Sequence, residues 1–384
     1  MVSSVQLTKA PQRERFQKDG QYNAPLPFLQ KTQSLSMLTL IMRLAILLAI
    51  VAPPAFAADN PESQAVILQY HHIATNTPRS TSVTPEEFRV HMDYLRDNNF
   101  TILRLEDVLT ALQNGDTLPD KTAVLTFDDG YRSVYEVAYP LLKERNWPFT
   151  IFVPTGLIGE VPGLYSNWEQ LREMGENGAT LTNHTEGHGY LLDRSGHADE
   201  ASWLSAVKDD VARAQARLKA ETGQDHKIFA YPYGEYDPAL QSLLTELGYV
   251  AFAQNSGAIN ASSDFSALPR FPFSGIYASL RSYSDKVKSL AFNVKAEVVT
   301  PITSAQAPAV VLDFDGAYRF DAMTCFHNNE RMLITAVDAD AQRYRLESPT
   351  KSSTRRFHYN CTAPGRDGRY YWYSVFWVNP AIPE

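Results

Sequence analysis

Between Ala65 and about Asn293 the sequence alternates short apolar runs with amphipathic helical patterns, and this alternation restricts the fold more than any other feature. Val66 to Tyr70, Ala123 to Phe127, Phe149 to Val153, Ala179 to Thr182 and Ile228 to Tyr231 read as strands. Pro85 to Asn98, Val134 to Arg145, Trp168 to Met174, Trp203 to Thr222 and Pro238 to Leu247 read as helices. Repeated strand–helix units predict an α/β fold, with a parallel sheet or barrel inside and helices outside. In such folds the reactive side chains collect at the carboxyl ends of the strands.

Three segments fall at those ends. Thr126-Phe127-Asp128-Asp129-Gly130 supplies paired carboxylates. Adjacent residues leaving a strand point in different directions, so one carboxylate can hold a metal while the other faces a water. Asp-Asp-Gly by itself is also a common turn. His184-Thr185-Glu186-Gly187-His188 supplies two imidazoles at i and i+4, which on a helix would share a face and grip one ion. The alternative is a surface or capping pair; Thr185 is expected to brace the loop. Tyr231-Pro232-Tyr233-Gly234 is a loop shaped by Pro and Gly, able to aim backbone N–H groups. One carboxylate and two imidazoles make three protein ligands and leave a position open, as in a catalytic rather than a structural site. The combination suits metal-assisted hydrolysis.

These residues give the chain a specific resemblance. It is similar to the polysaccharide deacetylases (the NodB-homology family, carbohydrate esterase family 4) over roughly Val66 to Gly275. Thr126 to Gly130, His184 to His188 and Tyr231 to Gly234 match three ordered motifs, and Asn167 to Met174 also has the family's look. The resemblance implies a distorted, incomplete (β/α) barrel. It implies that Asp129, His184 and His188 hold a divalent metal, zinc with cobalt or nickel as alternatives. It further implies that Asp128 is the general base and that the backbone N–H of Tyr233 faces the oxyanion.

Two departures leave roles to be filled. The family's third motif usually carries an Arg that orients the catalytic Asp, and Ala230 stands there instead. Arg270, in Leu268-Pro269-Arg270-Phe271, is the candidate replacement, with a structural or solvated Arg as the alternative. A Leu-x-His motif, whose His protonates the leaving amine, is also missing: no histidine occurs between His226 and His327. The first strand ends in Tyr70-His71-His72, an opening that resembles the poly-N-acetylglucosamine deacetylases. His71 is therefore the candidate general acid, with His72 next and a structural histidine as the alternative.

After Asn293 the texture changes to short strands, Val294 to Val299, Ala309 to Phe314, Met332 to Val337, Arg343 to Leu346 and Tyr370 to Val378. They predict a small all-β, sandwich-like domain over 294–384, following a catalytic domain over 58–293. The aromatic run Tyr370 to Trp377 is either a sugar-stacking platform or a strand covered on both faces. Cys325 and Cys361 allow only one intramolecular pairing, to be weighed against two buried thiols. Asn360-Cys361-Thr362 matches a glycosylation acceptor incidentally.

Met42-Arg43, the apolar run Leu44 to Val51 and Ala55-Phe56-Ala57 have the pattern of a secretory signal peptide. The run is short of the roughly 20 residues a spanning helix needs, so a stable membrane span is not expected. The preceding stretch is either a long leader or lies upstream of a start at Met37 or Met42. Cleavage after Ala57 leaves 327 residues, exported to the periplasm or beyond, where a disulfide persists. The whole chain is −8 and residues 1–57 are +4, which leaves −12 and speaks against a nucleic-acid partner. The resulting expectation is an exported deacetylase removing N-acetyl groups from an N-acetylglucosamine polysaccharide, its oligomeric state open. An O-acetyl esterase and a catalytically silent glycan-binding protein are the alternatives.

Overall fold

The computed structural model describes residues 63–295 and 300–383. The leader, the signal-peptide pattern and part of the Val294 to Val299 run therefore lie outside the described residues. Six strands, β1 (Gln64–Tyr70), β2 (Thr122–Asp128), β3 (Phe149–Val153), β4 (Ala179–Asn183), β5 (Ile228–Ala230) and β6 (Val250–Phe252), lie side by side in chain order. Every neighbouring pair is parallel. All residues of β2, β3 and β4 are buried, because the barrel interior covers one face and the helices the other.

The helices form where sequence and capping agree. Pro85–Asp97 starts at a Thr84/Glu87 capping box with Pro at its first position, and buries Phe88, His91, Met92 and Leu95 along one stripe. Glu200–Thr222 begins at Asp199 and ends at left-handed Gly223. The expected helix from Val134 to Arg145 is split into a π turn over Val134–Ala138 and a helix over Tyr139–Glu144. Pro140, in the first turn of the second piece, has no N–H to give to the preceding turn, which fits the change of helical pairing at that point.

The curled sheet is completed by a segment that follows β6. Ala258–Asn260 runs antiparallel to the outer edge of β1. Leu268 bridges Phe252 of β6, and Phe271–Pro272 pairs with Leu68 and Gln69 of β1. Residues 268–272 thus touch both the last and the first parallel strand, and Arg270 sits between those two attachments.

The C-terminal residues form two sheets. One contains Leu290–Ala291, Tyr370–Val378, Arg356–Pro364, Thr324–His327 and Glu330–Arg331 in spatial order; the other contains Val294–Lys295, Val310–Phe314, Arg343–Glu347 and Leu333–Asp338. Their inner faces share a core that includes Leu312, Phe314, Leu346, Tyr359 and Trp377. Cys325 and Cys361 are directly opposite on adjacent antiparallel strands and are joined by a disulfide.

The aromatic strand Tyr370–Val378 is covered on both sides for most of its length. Trp372 meets Phe271 edge-on at 5.5 Å and Phe376 stacks on Tyr236 at 5.8 Å, both across the seam with the barrel. Trp377 faces the other way, onto Tyr359. Most of the run's rings are thus used in packing, while Tyr370 at its start stays 48% exposed.

Candidate active site

Asp128 is the last residue of β2, and its carboxylate is wholly buried. Arg270 reaches it with two hydrogen bonds, Nη1 to Oδ1 at 2.6 Å and Nη2 to Oδ2 at 2.9 Å. Arg270 is itself held by Nε donating to the Ala253 carbonyl at 3.1 Å and lies over the Phe152 ring at 4.9 Å. Gln69 Nε2, from β1, also donates to Asp128 Oδ2, at 2.6 Å. Burial alone pushes the Asp128 carboxyl up, but the Arg270 guanidinium, followed by His71 and His184, holds it below the usual carboxylate range.

Asp129 turns away from its neighbour because its backbone is left-handed, with φ 69°. Its Oδ1 lies 3.5 Å from His184 Nε2 and 3.1 Å from His188 Nε2. One ligand atom from each of the three residues falls within 4.8 Å of the others. His184 Nδ1–H donates to the Ala230 carbonyl at 2.8 Å, so the lone pair of Nε2 faces Asp129 and His188. Burial raises the Asp129 carboxyl, and the adjoining His184 and His188 side chains outweigh that and hold it well below its usual range. These three side chains could hold a divalent cation.

The two histidines do not share a helical face, contrary to the expectation from their spacing. Residues 184–190 are a loop, in which Thr185 (φ 69°) and His188 (φ 53°) adopt left-handed backbone that no helix allows. The loop replaces helical bonds with side-chain ones: Thr185 Oγ1 accepts from His188 N at 2.9 Å, and Asn183 Oδ1 accepts from Thr185 N. Thr185 braces the loop as anticipated.

His71 and His72 separate clearly. His71 Nε2 lies 3.8 Å from Asp128 Oδ2 on a side chain 18% exposed, so it borders both the carboxylate and the opening. His72 is buried and stacks on Tyr131 with ring centroids 3.5 Å apart; burial pushes its pKa down to about 4, so it is neutral near pH 7. Tyr233 has φ 59° and ψ 4°, and its ring stands edge-on to His188 at 4.8 Å.

Gln69, Tyr131, Tyr190 and Glu235 were not singled out from the sequence. Gln69 had a legible signal, a polar residue inside the apolar run Val66 to Tyr70. Tyr131 directly follows the Asp-Asp-Gly motif, and its phenol is pushed up by burial and by Asp129.

The family model for polysaccharide deacetylases matches residues 115–252, which include Asp128, Asp129, His184, His188 and Tyr233. The chain carries a polysaccharide deacetylase domain. His71, Arg270 and the C-terminal sheets lie outside the matched residues of this domain. The poly-beta-1,6-N-acetyl-D-glucosamine N-deacetylase of Escherichia coli is 25% identical over 247 residues, covering 55% of this chain and 36% of that protein. The chain thus spans about a third of that relative's length. Among solved structures, IcaB from Ammonifex degensii superposes with a TM-score of 0.52 at 26% identity, over 60% of this chain and 99% of that one. The Streptococcus pyogenes deacetylase PplD, solved in complex with acetate, gives 0.52 at 25% identity over 59% and 99%. The deacetylase domain therefore accounts for the curled α/β sheet, and the C-terminal sheets add to it.

Proposed function

We propose that this protein is a metal-dependent hydrolase that removes N-acetyl groups from an N-acetylglucosamine-containing polysaccharide and releases acetate. The observation that carries the reading is the convergence of Asp129, His184 and His188 next to the buried Asp128–Arg270 pair. The Escherichia coli relative, named for N-deacetylation of a β-1,6-linked polymer, supports the substrate class.

The donor set fits the cation. One carboxylate oxygen and two imidazole nitrogens, with the His184 tautomer fixed by the Ala230 carbonyl, suit zinc, and cobalt or nickel less specifically. When bound, such a cation polarises a carbonyl oxygen and lowers the pKa of a coordinated water. Asp128 would take a proton from the attacking water as general base, with Arg270 and Gln69 fixing the plane of its carboxylate. His71 would give a proton to the sugar nitrogen as the carbon–nitrogen bond breaks, leaving an amine and acetate. The backbone N–H of Tyr233 would face the oxygen on which negative charge develops.

Export of the protein is part of this reading, on the signal-peptide pattern ending at Ala57. Among the described residues no helix is long and apolar enough to cross a membrane.

The test is acetate release by the purified protein after chelation and reloading with zinc, cobalt or nickel, against a panel of acetylated glycans. Release from β-linked N-acetylglucosamine oligomers that disappears on chelation is the expected result. Release from O-acetylated glycans alone would make the protein an esterase. Binding of the oligomers without release under any metal would make it a glycan-binding protein.

A further inference from the structure

We propose that Arg355 and Arg356, which enter from the C-terminal sheets, are positioning residues for the reaction. With Glu235 they hold the Tyr231-to-Glu235 turn in the one backbone conformation that aims the Tyr233 N–H, so the C-terminal sheets are a working part of the active site. The catalytic consequence rests on the role given above to Tyr233; the brace itself does not.

Glu235 directly follows the turn and is fully buried. Its carboxylate accepts from Arg355 Nε at 2.6 Å, Arg355 Nη2 at 2.8 Å and Arg356 Nη1 at 2.9 Å. Charge-assisted bonds of this kind, two of them from one guanidinium fork, fix both distance and plane. Arg355 is anchored in turn, its Nη1 donating to the carbonyls of Pro380 at 3.0 Å and Ile382 at 3.1 Å.

The same two arginines reach the site by a second route. The Arg355 guanidinium lies 4.9 Å from the Tyr190 ring and that of Arg356 lies 5.3 Å from the Tyr233 ring. Those rings stack on each other at 4.1 Å, and Tyr233 meets His188 edge-on. A guanidinium near an aromatic face is attracted by the ring's quadrupole, so each arginine steadies a ring of the stack while holding Glu235.

The turn needs such support. Tyr233 is a non-glycine residue in left-handed backbone, a state that persists where surrounding contacts over-determine it. Gly234, also left-handed, has no room for a side chain: a Cβ there would come within 2.9 Å of Gln254 N. Released from Glu235, the turn keeps only its short backbone bonds, Gly234 N to Tyr231 O at 2.9 Å and Glu235 N to Pro232 O at 3.2 Å, and its ring contacts against that strain. An N–H moved by about an ångström no longer meets the oxyanion.

The experiment compares the full chain with Arg355→Ala, Arg356→Ala, Arg356→Lys and Glu235→Gln, reading kcat, KM, bound zinc and amide hydrogen exchange. Each Ala variant is expected to lower kcat at least tenfold, with KM and bound zinc within twofold. Exchange should quicken in peptides covering 231–236 and stay unchanged over Thr122–Asp128. Arg356→Lys, which keeps a cation near the ring, should recover part of the loss. Unchanged kcat, unchanged exchange in the turn, or a kcat loss that only tracks zinc loss would overturn the proposal. If an Ala variant does not fold, Arg356→Lys and Glu235→Gln carry the same comparison with smaller changes. If the wild-type protein releases no acetate, the proposed function fails, and exchange in the turn alone decides whether the brace exists.

Discussion

Arg270 grips Asp128 through two hydrogen bonds of 2.6 and 2.9 Å, and neither side chain is exposed to solvent. The guanidinium comes from the segment that joins β6 back to β1, not from the strand that follows the histidine loop. That placement lets Arg270 stand in for the arginine that the family resemblance leads one to expect at Ala230. Arg270→Lys keeps the charge but loses the fork. It should lower kcat by roughly 10²-fold, the scale of a misplaced catalytic group. Arg270→Met leaves a buried carboxylate without its cation and should also destabilise the fold by about 3–5 kcal/mol. Kinetics and denaturant midpoints of the two variants separate these effects.

The ligand assignment predicts a different pattern for the residues on either side. His184→Ala or His188→Ala removes one of three donors and should abolish both stoichiometric metal and activity. Asp128→Asn keeps the shape and should leave metal bound while kcat falls by roughly 10²-fold or more. Metal analysis on each variant decides it, and loss of metal in Asp128→Asn would mean that Asp128 and Asp129 have exchanged roles.

Much of this site was legible in the sequence because its parts are local. Asp128, Asp129, His184, His188 and Tyr233 each lie within a short motif at the end of an apolar run, so a strand-end argument locates them without a structure. Arg270 could be nominated but not connected, since its partner is 142 residues away and only ring closure brings them together. The His184 to His188 loop misled, because i, i+4 spacing speaks for a helix and does not encode the left-handed backbone at Thr185 and His188. The strand Arg356–Pro364 carries the alternation of a half-buried strand, Phe357, Tyr359, Cys361 and Ala363 inward against His358, Asn360 and Thr362, and was missed because only continuous apolar runs were read as strands there. Arg355, Arg356 and Glu235 were invisible for the reason Arg270 was hard: charged residues far apart in sequence acquire meaning only when the fold pairs them.

The Cys325–Cys361 disulfide spans 36 residues and ties the Thr324–His327 strand to Arg356–Pro364. In the chain-entropy account a loop of that length is worth about 3–4 kcal/mol. Cys325→Ala with Cys361→Ala should lower stability by that order and show as a reduced denaturant midpoint. Two free thiols by mass spectrometry in the oxidised protein would remove the basis of the prediction.

Acid sensitivity should come partly from His91, far in sequence from the candidate metal ligands and wholly buried. Its Nε2–H donates to the Ala278 carbonyl at 2.7 Å, its Nδ1 lies 3.2 Å from the Tyr70 hydroxyl, and its ring stacks on Tyr283 at 3.9 Å. Burial pushes its pKa from 6.5 down to about 4. Between those values the unfolded chain binds the proton and the folded chain does not, so stability rises with pH across that window. The contribution is fully present above pH 6.5 and lost as the pH falls toward 4, an effect of about 3 kcal/mol. His358, also lowered to about 4 by burial, acts in the same direction. His91→Gln can keep both hydrogen bonds without titrating, so unfolding measured at pH 4.5 and 7 should show a smaller difference than in the wild type. An unchanged difference would assign the acid sensitivity elsewhere.

The prediction most specific to this chain concerns His71. An amide leaving group is a poor one unless its nitrogen is protonated, and among the described histidines His71 is the one that borders Asp128 while remaining partly exposed. His72, neutral and stacked on Tyr131, cannot serve without breaking that contact. Removing a positioned acid should cost about 10²- to 10⁴-fold on an amide, and much less on an aryl acetate, whose leaving group departs unaided. The measurement is His71→Ala against wild type on an N-acetylated oligosaccharide and on an aryl acetate, with metal content checked in every sample. Equal losses on both substrates would assign His71 to holding Asp128 in place rather than to proton transfer. No loss on either would remove it from the mechanism.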